Sequence, residues 1–161
     1  MRNNSKIFYG EFIGSCFLVM IIVGSGIMAQ NLTEDIAVML IANALATGAG
    51  LFVLITSIGD ISGAHFNPVV TMAMYLTKKI KKNLIIIYIS AQISGCLLGV
   101  MLANFMFELP VIELSQKVRP GINIFIAEII ATFGLIFIIF GSLKNGTVAV
   151  AASVATYITA G

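Results

Sequence analysis

Long apolar runs constrain the fold of this chain more than any other feature of its sequence. A helix needs about 20 apolar residues to cross a hydrocarbon core of roughly 30 Å. Five such runs begin in the chain, although Glu128 interrupts the fourth and the fifth is still apolar at Gly161. With 59% hydrophobic and 10% charged residues, the chain is predicted to be an all-α, polytopic membrane protein. The predicted spans are residues 12–29, 36–59, 83–107, 121–143 and 145–161.

The positions of the basic residues predict the orientation of these spans. Lysine and arginine near span ends prefer the cytoplasmic side. Seven basic residues share one side, whereas the other has only Lys117 and Arg119. We therefore expect an integral, multi-pass protein of the cell (inner) membrane with a cytoplasmic N-terminus. An anionic-lipid site is the alternative role for the lysine cluster. The seven residues are Arg2, Lys6, Lys78, Lys79, Lys81, Lys82 and Lys144.

Nothing in the sequence indicates catalysis or a bound cofactor. Cys16 and Cys96 both lie inside predicted spans and lack metal-ligand spacing, so they are better interpreted as small packing residues. No nucleophile, base and acid occur together. We expect no enzyme activity, no metal or other cofactor, and no nucleic-acid partner. The lipid bilayer is the partner that the composition predicts.

The first and fourth spans resemble each other. "GEFIGSCFLVMIIVGSG" aligns without gaps with "AEIIATFGLIFIIFGSL", which pairs Glu11 with Glu128. Because the copies lie three spans apart, they run in opposite directions, as in inverted-topology repeats with a solute site near the midplane. A weaker match sets the second span over the fifth. We expect a single membrane domain, 1–161, with residues 1–107 as the first repeat and 121–161 as an incomplete second repeat of a fragment.

The segment between the second span and the lysine cluster is apolar but too short to cross the membrane. Residues 67–76 would form a helix about 15 Å long. Asn67 suits its N-cap and Pro68 its first position, while Gly63 and Ala64 permit a tight turn. Because both flanks should be cytoplasmic, we predict a re-entrant loop that returns as a half-helix. Irregular backbone at that depth implies a water-filled path, and the helix N-terminus opposes cations and hydronium there.

Several segments together resemble one family. "SGAHFNPVVT" resembles the first signature of the aquaporins, or major intrinsic proteins, and "GEFIGSCFLV", "AQISGCLLG" and "AEIIATFGLIF" resemble their first, third and fourth helices. The resemblance covers nearly the whole chain. It implies an aquaporin-like bundle of six spans and two half-helices, usually a homotetramer with one pore per subunit. Family members pass water or small neutral solutes and exclude ions and protons.

The chain departs from the family pattern in two places. Val69 stands where the family has alanine, at the position where the two half-helices abut. The chain also contains no second Asn-Pro motif and no filter arginine after it. Half of the family's selectivity filter therefore has no counterpart in the sequence.

The resemblance assigns roles to residues of the motif. Asn67 would donate its side-chain amide to a passing solute, with a simple helix cap as the alternative. His65 would line the cytoplasmic half of the pore, with a structural histidine as the alternative. The remaining motif and pore-lining residues are Pro68, Val69, Gly63 and Ala64.

Polar side chains within the spans are expected to support the loop. Glu11 and Glu128 are costly to bury, by up to roughly 2.5–3.5 kcal/mol on insertion scales, and each carboxylate would accept hydrogen bonds from a re-entrant loop. A snorkelling interfacial acid is the alternative for Glu11. Gln92 would hydrogen-bond a neighbouring helix or loop, and Gly95 and Gly99 suit close helix contact.

Thr47 matches the second-span position of the family's filter, where water-selective members have a bulky aromatic residue. Threonine is smaller and polar, so the constriction should be wider than in a strict water pore. The repeat places the fifth-span counterpart near Ile158, with Ala160 as the alternative.

These features predict a passive channel for water and small neutral solutes such as glycerol, urea or an undissociated metalloid acid. Backbone acceptors and the Asn67 amide would replace part of a solute's hydration, whereas an ion would lose far more solvation than they return. A secondary transporter is the alternative, because inverted repeats and broken helices occur there too. A fragment that conducts nothing by itself is the third interpretation.

Overall fold

The computed structural model describes residues 3–113 and 120–160. Within these ranges every regular element is helical, which confirms the all-α prediction. Short 3₁₀ segments cover Lys82–Leu84 and Leu143–Asn145. Arg2, Lys117 and Arg119, which contribute to the predicted orientation, lie outside the described residues. The α-helices are α1 Asn4–Leu32, α2 Ile36–Ile58, α3 Pro68–Leu76, α4 Ile85–Met106, α5 Ile122–Ser142 and α6 Thr147–Ala160.

Four of these helices, α1, α2, α4 and α5, are long and apolar enough to cross a membrane. The first starts earlier than the predicted span, because Asn3 caps it by accepting a hydrogen bond from Ser5 N at 3.1 Å. Glu11, which bounded the predicted span, lies inside α1 and is fully buried. The α6 segment is a shorter apolar helix of 14 residues.

Large apolar side chains cover the outside of the helical bundle. Phe105, Phe133 and Ile86 are each at least 70% exposed. Contiguous apolar surface of this extent is rare on soluble monomers, whereas lipid tails solvate it without cost. The chain is therefore an integral, multi-pass membrane protein.

Small residues let α4 lie directly against the backbone of α1. A Cβ added to Gly95 would collide with the carbonyl oxygen of Phe12, and one added to Gly99 with that of Cys16. Close approach through small residues is a common way for helices to associate in lipid. The structure confirms the close contact predicted from the two glycines, and the same face of α4 carries Gln92 toward α1.

Adding one methyl group at this contact should destabilise the protein. We expect Gly99→Ala to lower the free energy of unfolding by about 1–3 kcal/mol, since the new Cβ meets backbone that cannot move independently. Gly141→Ala makes the same change on α5, where no neighbouring atom lies within 4 Å of the added Cβ. This control should lose no stability, because alanine favours helix. Denaturant titration in lipid–detergent micelles measures both, and equal effects would contradict the packing argument.

Candidate functional site

Asn67 caps the short helix α3. Its backbone is extended, and its Oδ1 accepts hydrogen bonds from Val69 N at 2.7 Å and Val70 N at 3.4 Å. Pro68 follows at the first helical position, where a missing N–H has no consequence. Because Oδ1 faces the helix, the two N–H donors of the amide remain for a partner in the cavity that Asn67 lines.

The loop before Asn67 has an unusual backbone. Gly63, Ala64 and Phe66 have φ angles of 113°, 49° and 46°. The left-handed region costs an L-residue roughly 1–2 kcal/mol, so Ala64 and Phe66 need compensating interactions. Such a backbone turns successive N–H groups to one side, where they form an anion-binding concavity.

The carboxylate of Glu11 occupies this concavity. Its Oε1 accepts from the Ser62 hydroxyl at 2.6 Å and from His65 N at 3.0 Å. Its Oε2 accepts from Phe66 N at 2.8 Å and from Gln92 Nε2 at 2.9 Å. All four partners donate, which is the pattern of a carboxylate that carries no proton. Hydrogen bonds to a charged group contribute about 1.5–3 kcal/mol each, enough to offset the strain of the loop.

These bonds also orient the carbonyl groups of the loop. In a trans peptide, the N–H of one residue and the C=O of the preceding residue point in opposite directions, and the described residues contain no cis peptide. The N–H groups of His65 and Phe66 point at Glu11, so the carbonyls of Ala64 and His65 point away from it. Both residues line the cavity on the other side of the loop.

Helix α4 and Thr71 of α3 complete the polar network behind the loop. Gln92 Nε2 donates to Thr71 Oγ1 at 3.1 Å as well as to Glu11. The His65 ring stacks on the Tyr88 ring at a centroid distance of 4.3 Å, and the Tyr88 hydroxyl donates to Ser62 O. Sequence reasoning identified Glu11 and Gln92 but missed Tyr88 and Thr71, since nothing local distinguishes them from packing residues.

In front of the loop lies a cavity of about 200 Å³. Its lining is mostly aliphatic, and the polar groups come from the loop, Asn67 and Thr47. The structure brings six of the predicted pore-lining residues to this cavity, from both halves of the chain. They are Thr47, Gly63, Ala64, His65, Asn67 and Ile158.

A second cavity of about 250 Å³ adjoins the first. Both are lined by Gly63 and His65, so these two residues lie where the cavities meet. The second cavity also reaches Lys79 and Thr147, at the ends of α3 and α6. The two cavities together trace a path past the loop.

The aliphatic residues of the lining were not predicted. Those of α1, α2, α5 and α6 recur every fourth residue, as do Val70 and Met74 on α3, which places each set on one helix face. This spacing is a usable signal only when the other faces of a helix are polar, and here all faces are apolar. The residues are Leu18 and Ile22 on α1, Leu51 and Ile55 after Thr47 on α2, Leu135 and Ile139 on α5 with Leu143 just beyond it, and Val150 and Val154 before Ile158 on α6.

Three other predicted residues lie away from the path. Pro68 and Val69 are exposed at the α3 N-terminus and line neither of the two cavities. Glu128 is exposed on α5, and its role as a loop support stays a prediction.

The model of the family described as "Major intrinsic protein" matches residues 2–159. The chain belongs to the major intrinsic protein family. It is 43% identical over 150 residues to Aquaglyceroporin AqpS of Rhizobium meliloti (strain 1021), covering 93% of this chain and 64% of that relative. It is 31% identical over 154 residues to Aquaporin-4 of Rattus norvegicus, covering 92% of this chain and 47% of that relative.

The fold is also found among solved structures. The X-ray structure of the aquaglyceroporin from Plasmodium falciparum matches with a TM-score of 0.83 at 21% identity, covering 98% of this chain and 71% of that one. This family member therefore has the aquaporin-like fold that its motifs predicted. It spans 64% or less of the length of the two curated relatives.

Replacing Glu11 by glutamine should loosen the loop. The amide group offers N–H donors where the carboxylate accepted, so two of its four partners would face another donor. An unsatisfied buried group costs about 1–3 kcal/mol, so we expect a loss of about 2–6 kcal/mol in the free energy of unfolding. The same change at exposed Glu34, Glu34→Gln, should have little effect. Parallel denaturant titrations compare the two variants. If Glu11→Gln were as stable as the wild type, the loop would keep its conformation without the carboxylate, which contradicts the prediction.

Proposed function

We propose that this protein is a passive channel that conducts water and small neutral solutes along the path formed by the two cavities. The observation that carries the proposal is a largely aliphatic cavity whose polar groups come from the loop, from Asn67 at the α3 N-terminus and from Thr47. Membership in the major intrinsic protein family supports it. The names of the relatives, aquaglyceroporin and aquaporin, agree with this class of substrate.

Solutes would exchange hydrogen bonds with water for a few fixed partners. The Asn67 amide supplies donors, and the carbonyls of Ala64 and His65 supply acceptors. A neutral molecule needs only this small number of bonds while its apolar side lies against the aliphatic wall. The hydrogen bonds that the solute gains along the path therefore largely offset the free-energy cost of its dehydration.

Ions would not receive comparable compensation. Burying an unpaired charge costs far more than burying a neutral polar group. The N-terminus of α3 lies at the path, where its cap residue Asn67 lines the cavity. The partial positive charge at this helix end adds a barrier for cations and hydronium. The carboxylate of Glu11 is fully buried behind the loop and offers no counter-charge to an ion on the path.

Thr47 points to solutes larger than water. It is a small residue that lines the cavity, as Ile158 of helix α6 also does. We propose that glycerol, urea or an undissociated metalloid acid fits past this position. The name of the relative from Rhizobium meliloti, an aquaglyceroporin, favours the same solute class.

The proposed architecture is an inverted repeat in a homotetramer. The alignment of the first and fourth spans pairs Leu18 with Leu135 and Ile22 with Ile139, and all four side chains line the cavity. Equivalent positions of the two repeats thus line the same cavity. We further propose a cell (inner) membrane location with the N-terminus and the lysine cluster on the cytoplasmic side, as the basic residues predict.

Stopped-flow light scattering tests the channel. Liposomes that carry the complete protein should shrink faster in an osmotic gradient and admit glycerol faster than empty liposomes. The flux should rise linearly with the gradient and carry no current. Saturable flux that depends on an ion gradient would instead identify a secondary transporter, and unchanged permeability would refute the channel.

A bulky side chain at Thr47 should change selectivity. Thr47→Phe narrows the cavity, so we expect glycerol permeability to fall by about tenfold, a barrier increase of roughly 1.4 kcal/mol, and water permeability to fall less. Leu40→Phe places the same residue on the exposed face of α2, where the native side chain is 68% exposed, and should leave both rates unchanged. An equal fall for water and glycerol would contradict a selective role for Thr47.

A further inference from the structure

The connection between α3 and α4 carries four lysines within five residues, and we call residues 78–82 the basic loop. Consecutive Cα atoms are 3.8 Å apart, so the four backbone positions span at most about 15 Å. All four side chains are exposed. Four positive charges are therefore concentrated on a small part of the surface. The lysines are Lys78, Lys79, Lys81 and Lys82.

The backbone of the basic loop is held in place by the end of α3. Lys78 is left-handed, with a φ of 58°. Its N–H donates to Tyr75 O at 2.9 Å, and the N–H of Lys79 donates to Met74 O at 2.8 Å, which are the paired bonds of a Schellman helix end. Ile80 packs against the buried core cluster. The lysines thus extend from an ordered backbone, which lowers the entropic cost of binding a partner.

The basic loop lies at the end of the bundle where α2 ends, because the Tyr88 hydroxyl near the start of α4 donates to Ser62 O. The start of α6 lies at this end too, since Thr147 Oγ1 donates to Asp60 Oδ1 at 3.2 Å. Lys6 at the start of α1 shares this end, as does Lys144 just before α6.

Few acidic groups offset these charges. Of the seven acidic residues in the chain, Asp60 is the one that is exposed at this end, since Glu11 is fully buried. The connections at the other end and the first half of α5 contain the rest. The lysine end therefore has a large excess of positive charge. The five remaining acidic residues are Glu34, Asp35, Glu108, Glu113 and Glu128.

An apolar stripe on α4 begins next to the basic loop. Ile86, Ile93 and Leu97 are each more than half exposed, and their spacing of seven and four residues places them on one helix face. From residue 86 to residue 97 the helix rises about 16 Å, roughly half of a hydrocarbon core of about 30 Å. Lys82 precedes Ile86 by four residues, so charge and apolar surface are about one helical turn apart.

We propose that the basic loop and the apolar stripe of α4 together bind an anionic phospholipid. Its phosphate lies among the lysine ammonium groups, and an acyl chain lies along the stripe within one leaflet. Basic residues beside a membrane helix attract anionic lipids, and a phospholipid has both the negative charge and the apolar chain that this surface matches. A soluble anion would leave the stripe without a partner. This binding does not depend on whether the protein conducts.

Native mass spectrometry of the complete protein in detergent micelles counts the bound lipids. Phosphatidylglycerol is the anionic probe, and phosphatidylcholine with the same acyl chains is the zwitterionic control. One lysine near an anionic lipid strengthens binding by about fivefold. We therefore expect the first phosphatidylglycerol to bind at least about fivefold more tightly than phosphatidylcholine. Equal affinity for the two lipids would overturn the proposal.

Two double variants separate the basic loop from the overall charge. Lys81→Gln with Lys82→Gln removes two charges from the loop, at residues that line neither cavity. Lys6→Gln with Lys144→Gln removes two charges from the same end, outside the loop. We expect the first pair to weaken phosphatidylglycerol binding by about fivefold or more and the second pair to weaken it far less. Equal losses would show that net charge alone attracts the lipid, which contradicts a site at the loop.

Inorganic phosphate distinguishes a lipid site from a site for a free anion. It carries the negative charge but no acyl chain, so it should not displace phosphatidylglycerol more than acetate does at the same ionic strength. Specific displacement by inorganic phosphate would overturn the lipid as the partner. If the variants do not fold, the comparison of the two lipids and this competition still decide the proposal on the wild-type protein.

Discussion

The buried carboxylate of Glu11 is the interaction on which the rest of the site depends. A charged group inside a membrane helix is costly, and it persists here because four donors surround it. Three of these donors belong to the loop between α2 and α3, whose left-handed residues would otherwise be strained. The carboxylate and the loop therefore stabilise each other, and neither conformation is favourable alone.

The polar network and the cavity lie on opposite sides of the same loop. The backbone N–H groups of His65 and Phe66 point at Glu11, so the carbonyl groups of the same two trans peptides, those of Ala64 and His65, point toward the cavity. The network also passes through Gln92 and Thr71 to the His65 ring. Glu11 thus influences His65 at the path through Gln92 and Thr71. Each buried polar group has only a few partners, so the position of one group restricts the position of the next.

Much of the site was predictable from local sequence, and some of it was not. Asn67 followed by Pro68 is a capping pattern, and the structure shows that cap. Gly95 and Gly99 likewise indicated a close helix contact that the structure contains. Ser62, Thr71 and Tyr88 gave no comparable signal, because their roles depend on partners from other helices. The aliphatic wall was equally hidden, since a helix apolar on all sides does not reveal which face is turned inward.

By itself, the sequence determined the helical class, the membrane environment, the short capped helix and the family, because these depend on run length, composition and local motifs. Only the tertiary structure decided which apolar faces form the wall, how the carbonyls of the loop are turned and which partners surround the Glu11 carboxylate. Those features arise from contacts between residues far apart in the chain. Glu11, His65 and Gln92 meet because α4 lies against α1, and hydrogen-bond geometry is settled only once they have met.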